Sequence, residues 1–380
     1  MIIKGVKARK IKNSREEDTI EISINSSIGR AKASAPAGKS KGKYEKKYYD
    51  GTVDEVIKKV NSFDKLKGVE INKYDDLKKI EKVFDFGSNP NIALEYAILK
   101  NFKKPYKKFN FGYRSLPVPL GNVIGGGLHT KNTKKPDFQE FLIYVENCKD
   151  FVSRVKINRA VYLSILKKLK PKRRNDEGAW IVNLSNGETL EILKGIADEL
   201  SYRLGYRIRI GLDVAASSFF KDGKYNYENY AKNKKQVKLS KDEQIDFLVH
   251  LVEKYKIGYL EDPLHEEDFE GFKELRKRVK DCLVVGDDLT VTNLERVKMA
   301  KGCVDGIVIK PNQIGSLIEV EKVVEFCKLN KIKTIFSHRS GETSENFLAD
   351  LSYIFGADFI KAGVYGKERI VKYSRLRKIR

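Results

Sequence analysis

Three carboxylates, Asp213, Glu261 and Asp287, are followed along the chain by Lys310, His338 and Lys361. Three acids aimed at one point repel one another unless a cation lies among them. An all-oxygen set with no cysteine and no histidine pair suits Mg²⁺ better than Zn²⁺. A lysine close to other cations, or partly desolvated, loses its proton more easily and can act as a base. The run Ser337-His-Arg-Ser-Gly341 is basic and hydroxyl-rich, a composition suited to phosphate. Two acidic stretches come earlier, Gln139-Glu140 and Asn175-Asp-Glu-Gly178. Each alone reads as surface more readily than as a site. Together these residue types suit removal of a proton beside a carboxylate, followed by loss of a leaving group. That proton is hard to remove in water because the carboxylate is already negative. A divalent ion on the developing enolate lowers the barrier by on the order of several kcal/mol.

Each of the six residues closes a short apolar run of β type. The runs are Arg207–Leu212, Ile257–Leu260, Cys282–Val285, Gly306–Ile309, Lys333–Phe336 and Asp358–Ile360. From Glu261 onward the closing residues are 26, 23, 28 and 23 positions apart, about the length of a strand, a loop and a helix. The interval from Asp213 to Glu261 is twice that. It contains a turn at Lys221–Tyr225 and a Lys/Asn-rich stretch, and reads as an insertion. A parallel barrel gathers the C-terminal ends of its strands on one rim, so the six side chains converge there. The alternative, that charges merely cap buried strands, does not account for six in register. Upstream, Thr19–Asn25 alternates like a half-buried strand, with Ile2, Ile3 and Val6 in a partner, and 34–45 reads as a loop. Segments 52–62, 74–84 and 91–102 show helical spacing. The expected fold is α/β: an α+β N-terminal domain, 1–113, capping a β/α (TIM-like) barrel, 114–380.

The 380 residues carry enough apolar side chains (41%) for a sizeable core. No run of eighteen apolar residues predicts a membrane span, and the first residues lack a signal-peptide pattern. The four scattered cysteines suit a reducing, cytoplasmic setting. The net charge of +23 fits either nucleic-acid or surface binding, or a lysine-rich solvated surface. Either way it would steer an anionic substrate.

Several stretches resemble enolases over nearly the whole chain. They include Ala8–Arg15, Leu116–Pro119, Asp137–Phe141, Asn175–Gly178 and Leu212–Ser217. The more specific ones are Glu261-Asp-Pro263, Gly286–Asn293, Ile309–Ser316, Ser337–Thr343 and Ile360–Gly363. The resemblance implies a phosphopyruvate hydratase that interconverts 2-phosphoglycerate and phosphoenolpyruvate at a β/α barrel with two Mg²⁺. It implies Asp213, Glu261 and Asp287 as ligands of the tighter metal and Ser40 as a ligand of the second. Lys310 would be the base, Glu177 the acid with Glu140 beside it, and His129 the histidine of a loop that closes over the site. Lys361 would grip the substrate carboxylate. Arg339 and Ser340, with His338, would bind phosphate. Gln139, Glu140, Glu261 and Asp287 would also contact substrate. A homodimer or higher homo-oligomer is implied as well, and no membrane partner.

The chain departs from the family pattern in places. Lys39 and Lys41 flank Ser40 where the family has small residues, Gly125 stands where it has Asn, and an acidic tail is replaced by Lys372–Arg380. Gly38-Lys39-Ser40 mimics the end of a P-loop, but Ala33 stands where its first glycine belongs and Pro36 interrupts it, which excludes nucleotide binding there. His250 and His265 carry no family role, and Trp180 reads as core. Two other readings stand beside an active enolase: a divergent or weakened homologue acting on another acid, and a basic nucleic-acid-binding protein on this fold. The second has only the charge behind it.

Overall fold

The computed structural model describes all residues except 40–41, 110, 113–114, 132–133, 231–235 and 380. Near the N-terminus, β1 (Ile3–Lys12), β2 (Asp18–Ser26) and β3 (Gly29–Ser34) form an antiparallel meander. Ile20, Ile22 and Ile24 alternate into its covered face. The helices Val53–Asn61 and Ser88–Lys100 pack on that sheet. A capping box at Thr52 and Glu55 starts the first. The second is buried nearly all round because it lies between the sheet and the barrel; its Glu95 accepts the Leu317 amide at 2.8 Å.

The barrel is built from β4 (Val118–Gly125), β5 (Glu140–Val145), β7 (Ile208–Asp213), β11 (Tyr259–Glu261), β12 (Leu283–Gly286), β13 (Gly306–Ile309), β14 (Lys333–Ser337) and β15 (Phe359–Lys361). These eight neighbour one another in that order, and β15 pairs with β4 to close the ring. The two-residue β6 (Trp180–Ile181) adds to β4 outside it. Between β7 and β11 lie β8 (Phe220–Lys221), β9 (Lys224–Tyr227) and β10 (Val237–Leu239), a small separate sheet. The β8–β9 turn uses Asp222 and Gly223, both at positive φ, the backbone a tight hairpin requires.

One expectation is corrected. The barrel is not wholly parallel: β5 runs antiparallel to both β4 and β7. Its first residue, not its last, therefore lies at the rim where the other strands end, and Glu140 stands opposite Asp213.

Leu120, Leu142, Tyr144, Tyr259, Val285, Val308, Ile335 and Phe359 form one buried cluster, contributed by seven of the eight strands. They fill the barrel interior. Side chains two positions on share a face. Asn122, Glu140, Glu261, Asp287, Lys310 and Lys361 each lie two residues from a member of this cluster, toward the rim. Asp213 stands likewise to Gly211, where any side chain would meet Leu142 and Tyr259. The interior layer thus sets which side chains face the barrel mouth. Among the described residues no helix is long and apolar enough to cross a membrane.

Candidate active site

Strand pairing brings the predicted residues together. Asp213 pairs in register with Glu140 on one side and Glu261 on the other, and Ser337 pairs with Lys361. In the ring of eight strands, β7, β11 and β12 give the three acids on one side. Lys361, on β15, stands four strands from Glu261 and is therefore across the barrel. Lys310, immediately after β13, stands four strands from Glu140 in the same way.

The ammonium of Lys361 reaches Glu261 at 2.8 Å, Asp213 at 3.0 Å and Glu140 at 3.3 Å, all four groups buried. Burial alone would lower its pKa, but these carboxylates hold it well above the usual lysine range. Burial, then the Asp213 charge, pushes the Glu261 carboxyl up to about 8. The Tyr259 hydroxyl donates to its other oxygen at 2.7 Å. Lys310 pairs with Asp287, which outweighs burial and raises its pKa. Asp287 also accepts the Gln313 amide at 3.1 Å. The Glu-Asp-Pro motif explains how Asp287 is set: the Asp262 carboxylate accepts the amides of Asp287 and Asp288 at 2.9 and 2.8 Å.

The second acid group lies beside Asp213 and across the barrel from Lys310. Glu177 and Glu140 lie together with His129. Burial and then Glu177 push Glu140 well upward. Glu177 is held well below its usual value: burial opposes ionisation, but nearby positive charge, with Arg369 among it, outweighs that. The two neighbouring carboxyls are thus pushed in opposite directions, Glu140 up and Glu177 down. Asn122 donates to Glu177 at 2.9 Å, and His129 Nδ1 lies 3.4 Å from it. Gln139 is buried with its Oε1 unpartnered.

The loop after β14 carries the phosphate candidates. Arg339 is buried and donates to Glu45 at 3.0 Å and to Tyr48 at 2.8 Å. Gly38 makes room for it, since a Cβ there would lie 2.0 Å from the guanidinium. The Ser340 hydroxyl accepts from the Lys39 amide at 2.8 Å and from Arg15. Ala37 and Gly341 exchange backbone hydrogen bonds at 2.8 Å, so the N-terminal loop is stitched to the barrel loop. The Lys39 ammonium donates to the Leu128 carbonyl, next to His129. Ser40, the second-metal candidate, lies outside the described residues.

The acidic wall fits a hard divalent ion: Asp213, Glu261 and Glu140 are buried around a single ammonium, that of Lys361. The oxygens of Asp213, Glu261 and Asp287 are not all within 4.8 Å of one another here. Two other described groups of that kind do meet this limit: His129, Glu140 and Glu177, and Asp262, Asp287 and Asp288. Sequence reasoning missed Asn122, Glu45, Tyr48 and Arg369, and gave Arg15 no part in the pocket. Arg369 stands just before the basic stretch Lys372–Arg380, and nothing in the sequence marks it for burial.

Residues 113–380 match the family described as "Enolase, C-terminal TIM barrel domain". The chain belongs to the enolase family. Its relatives include the enolase of Methanothermobacter thermautotrophicus, 37% identical over 404 residues, covering 100% of this chain and 96% of that protein. That of Pyrobaculum aerophilum is 38% identical over 390 residues (96% and 91%), and that of Archaeoglobus fulgidus 36% over 397 residues (100% and 97%). As an enolase-family member the chain is an enzyme of the carbon–oxygen lyase class.

Proposed function

We propose that the chain catalyses the reversible dehydration of 2-phosphoglycerate to phosphoenolpyruvate, with Lys310 as base and the Glu177–Glu140 pair as acid. The observation that carries this is the placement of Lys310 across one barrel mouth from the paired carboxyls of Glu140 and Glu177. An elimination needs a base on one side of the substrate and an acid at the leaving group on the other. We assign Asp213, Glu261 and Asp287 to one magnesium ion and Ser40 to a second; bound there, the metal supplies Lewis-acid charge that favours the enolate form of the substrate carboxylate.

The chain's own groups do the rest. Lys361 offers its ammonium to the substrate carboxylate. His338, Arg339 and Ser340 receive the phosphate, with Gln139 lining the pocket. Lys310 removes the proton at C2. The Asp287 pairing raises the Lys310 pKa, so the base form requires Asp287 to be drawn to another cation. The departing C3 hydroxyl takes the proton held by Glu140 and Glu177. His129 packs on that pair and shields it from water. The same reading carries a cytoplasmic, homo-oligomeric enzyme with 1–113 as a domain capping the barrel.

The test is direct. Purified protein with 2-phosphoglycerate and Mg²⁺ should generate the ultraviolet absorbance of phosphoenolpyruvate, and chelation with EDTA should stop it. No absorbance change with metal present, or undiminished turnover after chelation, would refute the reading.

A further inference from the structure

The phase of the barrel separates His338 from the other rim residues. Lys310 and Lys361 lie two positions beyond Val308 and Phe359, in step with the interior. His338 lies three beyond Ile335, out of step. Its ring instead meets Arg369, from the C-terminal helix Lys367–Ile379. Arg369 is fully buried. Its Nη1 lies 2.6 Å from His338 Nδ1 and also donates to the Arg339 carbonyl at 3.3 Å. Its Nη2 donates to the carbonyls of Asp176 at 2.7 Å and Ser340 at 3.1 Å. Gly363, at φ +80°, leaves the space: a Cβ there would lie 2.8 Å from the Arg369 Cδ.

A guanidinium has donors only. The His338 Nδ1 must therefore accept, and the ring carries its proton on Nε2. That Nε2 is buried without a hydrogen-bond partner and lies 3.7 Å from Glu177 Oε2. The same guanidinium holds Asp176, next to the acid, and Arg339 and Ser340, in the phosphate run. One turn on, Lys372 pairs with Glu342 at 2.8 Å, and Glu342 accepts the Arg339 amide at 3.0 Å. The helix thus inserts two cations beneath the loop. The charged groups acting on His338 are Glu177, Arg369, Lys361 and Lys372.

We propose that Arg369 is a positioning residue that fixes His338 in the tautomer with its proton on Nε2, turns that unused donor toward Glu177 and the substrate, and ties the acid loop to the phosphate loop. The proposal rests on the reading of the pocket given above. A purely structural cation would hold the loops without deciding where the imidazole proton sits.

The protein has four histidines, so long-range ¹H–¹⁵N spectra of histidine-labelled full-length protein resolve each ring, with H338Q to assign the signal. His338 is expected as the Nε2–H tautomer in the wild-type protein. In R369M it should become mixed or Nδ1-protonated, with kcat lower by on the order of 10- to 100-fold, the usual effect of losing a group that orients a site residue. A wild-type His338 protonated on Nδ1 would overturn the proposal, as would a folded R369M with an unchanged tautomer. A changed tautomer with unchanged kcat would overturn the positioning role. If R369M does not fold, the wild-type spectrum still decides. The spectra need no turnover, so an inactive wild-type protein would refute the proposed reaction and leave the tautomer result standing.

Discussion

Lys361 shows how a single side chain balances the acidic wall. Its ammonium lies within 3.3 Å of three buried carboxylates. Breaking a buried ion pair by removing one partner costs about 3–5 kcal/mol, because the remaining charge has no counter-ion. K361M should therefore lower the melting temperature sharply in EDTA. Magnesium should restore part of the loss, since a ligand bound only by the folded protein stabilises it by mass action. Melts with and without metal check this; equal losses under both conditions would mean that no divalent ion shares the carboxylates with Lys361. The six rim residues from Asp213 to Lys361 were legible because each closes an apolar run, and from Glu261 onward at a regular interval. Arg369 was not: burial depends on which face of the last helix meets the barrel, and nothing in Lys367–Arg380 marks that face.

At the scale of elements, β5 was the strand whose direction the sequence hid. An apolar run looks the same in either direction, so Glu140 came from motif resemblance and not from the period. The edge strand β3 also went unread, with Arg30 and Lys32 facing out. The insertion between β7 and β11 was legible from its length and its Asp-Gly turn. The helix Leu317–Leu329 carries its own prediction. Burial, then the like charges of Glu325 and Asp75, push Glu321 up to about 7. A carboxyl raised in the folded state binds more protons there than in the unfolded chain, so stability falls as pH rises between about 4.3 and 7. Below that window both states are protonated and no penalty exists; above it the penalty is complete. E321Q should therefore raise the melting temperature relative to wild type at pH 8 and leave it nearly unchanged at pH 4. A gain of equal size at both pH values would point to packing instead.

At the scale of the molecule, the charge of +23 does not all lie on the surface. Within the basic C-terminal stretch, Arg369 and Lys372 are buried and Arg375 pairs with Asp350 at 2.7 Å. Those cations serve the barrel and add nothing to a basic surface for nucleic acid. The remaining excess should speed encounter with a phosphorylated acid. Because charges more than about 10 Å apart are screened at 0.1 M salt, kcat/KM should fall with added NaCl while kcat changes little. A flat kcat/KM would show that the field does not steer substrate.

The central claim is that base and acid act from opposite walls of one barrel mouth. Exchange of the C2 proton of 2-phosphoglycerate in D₂O, followed by NMR in wild type, K310A and E177Q, tests it most directly. K310A should lose both exchange and elimination, by at least the roughly 10²–10⁴-fold that a general base contributes. E177Q should lose elimination while exchange persists. Exchange that survives in K310A, or disappears in E177Q together with elimination, would contradict the assignment of the two walls.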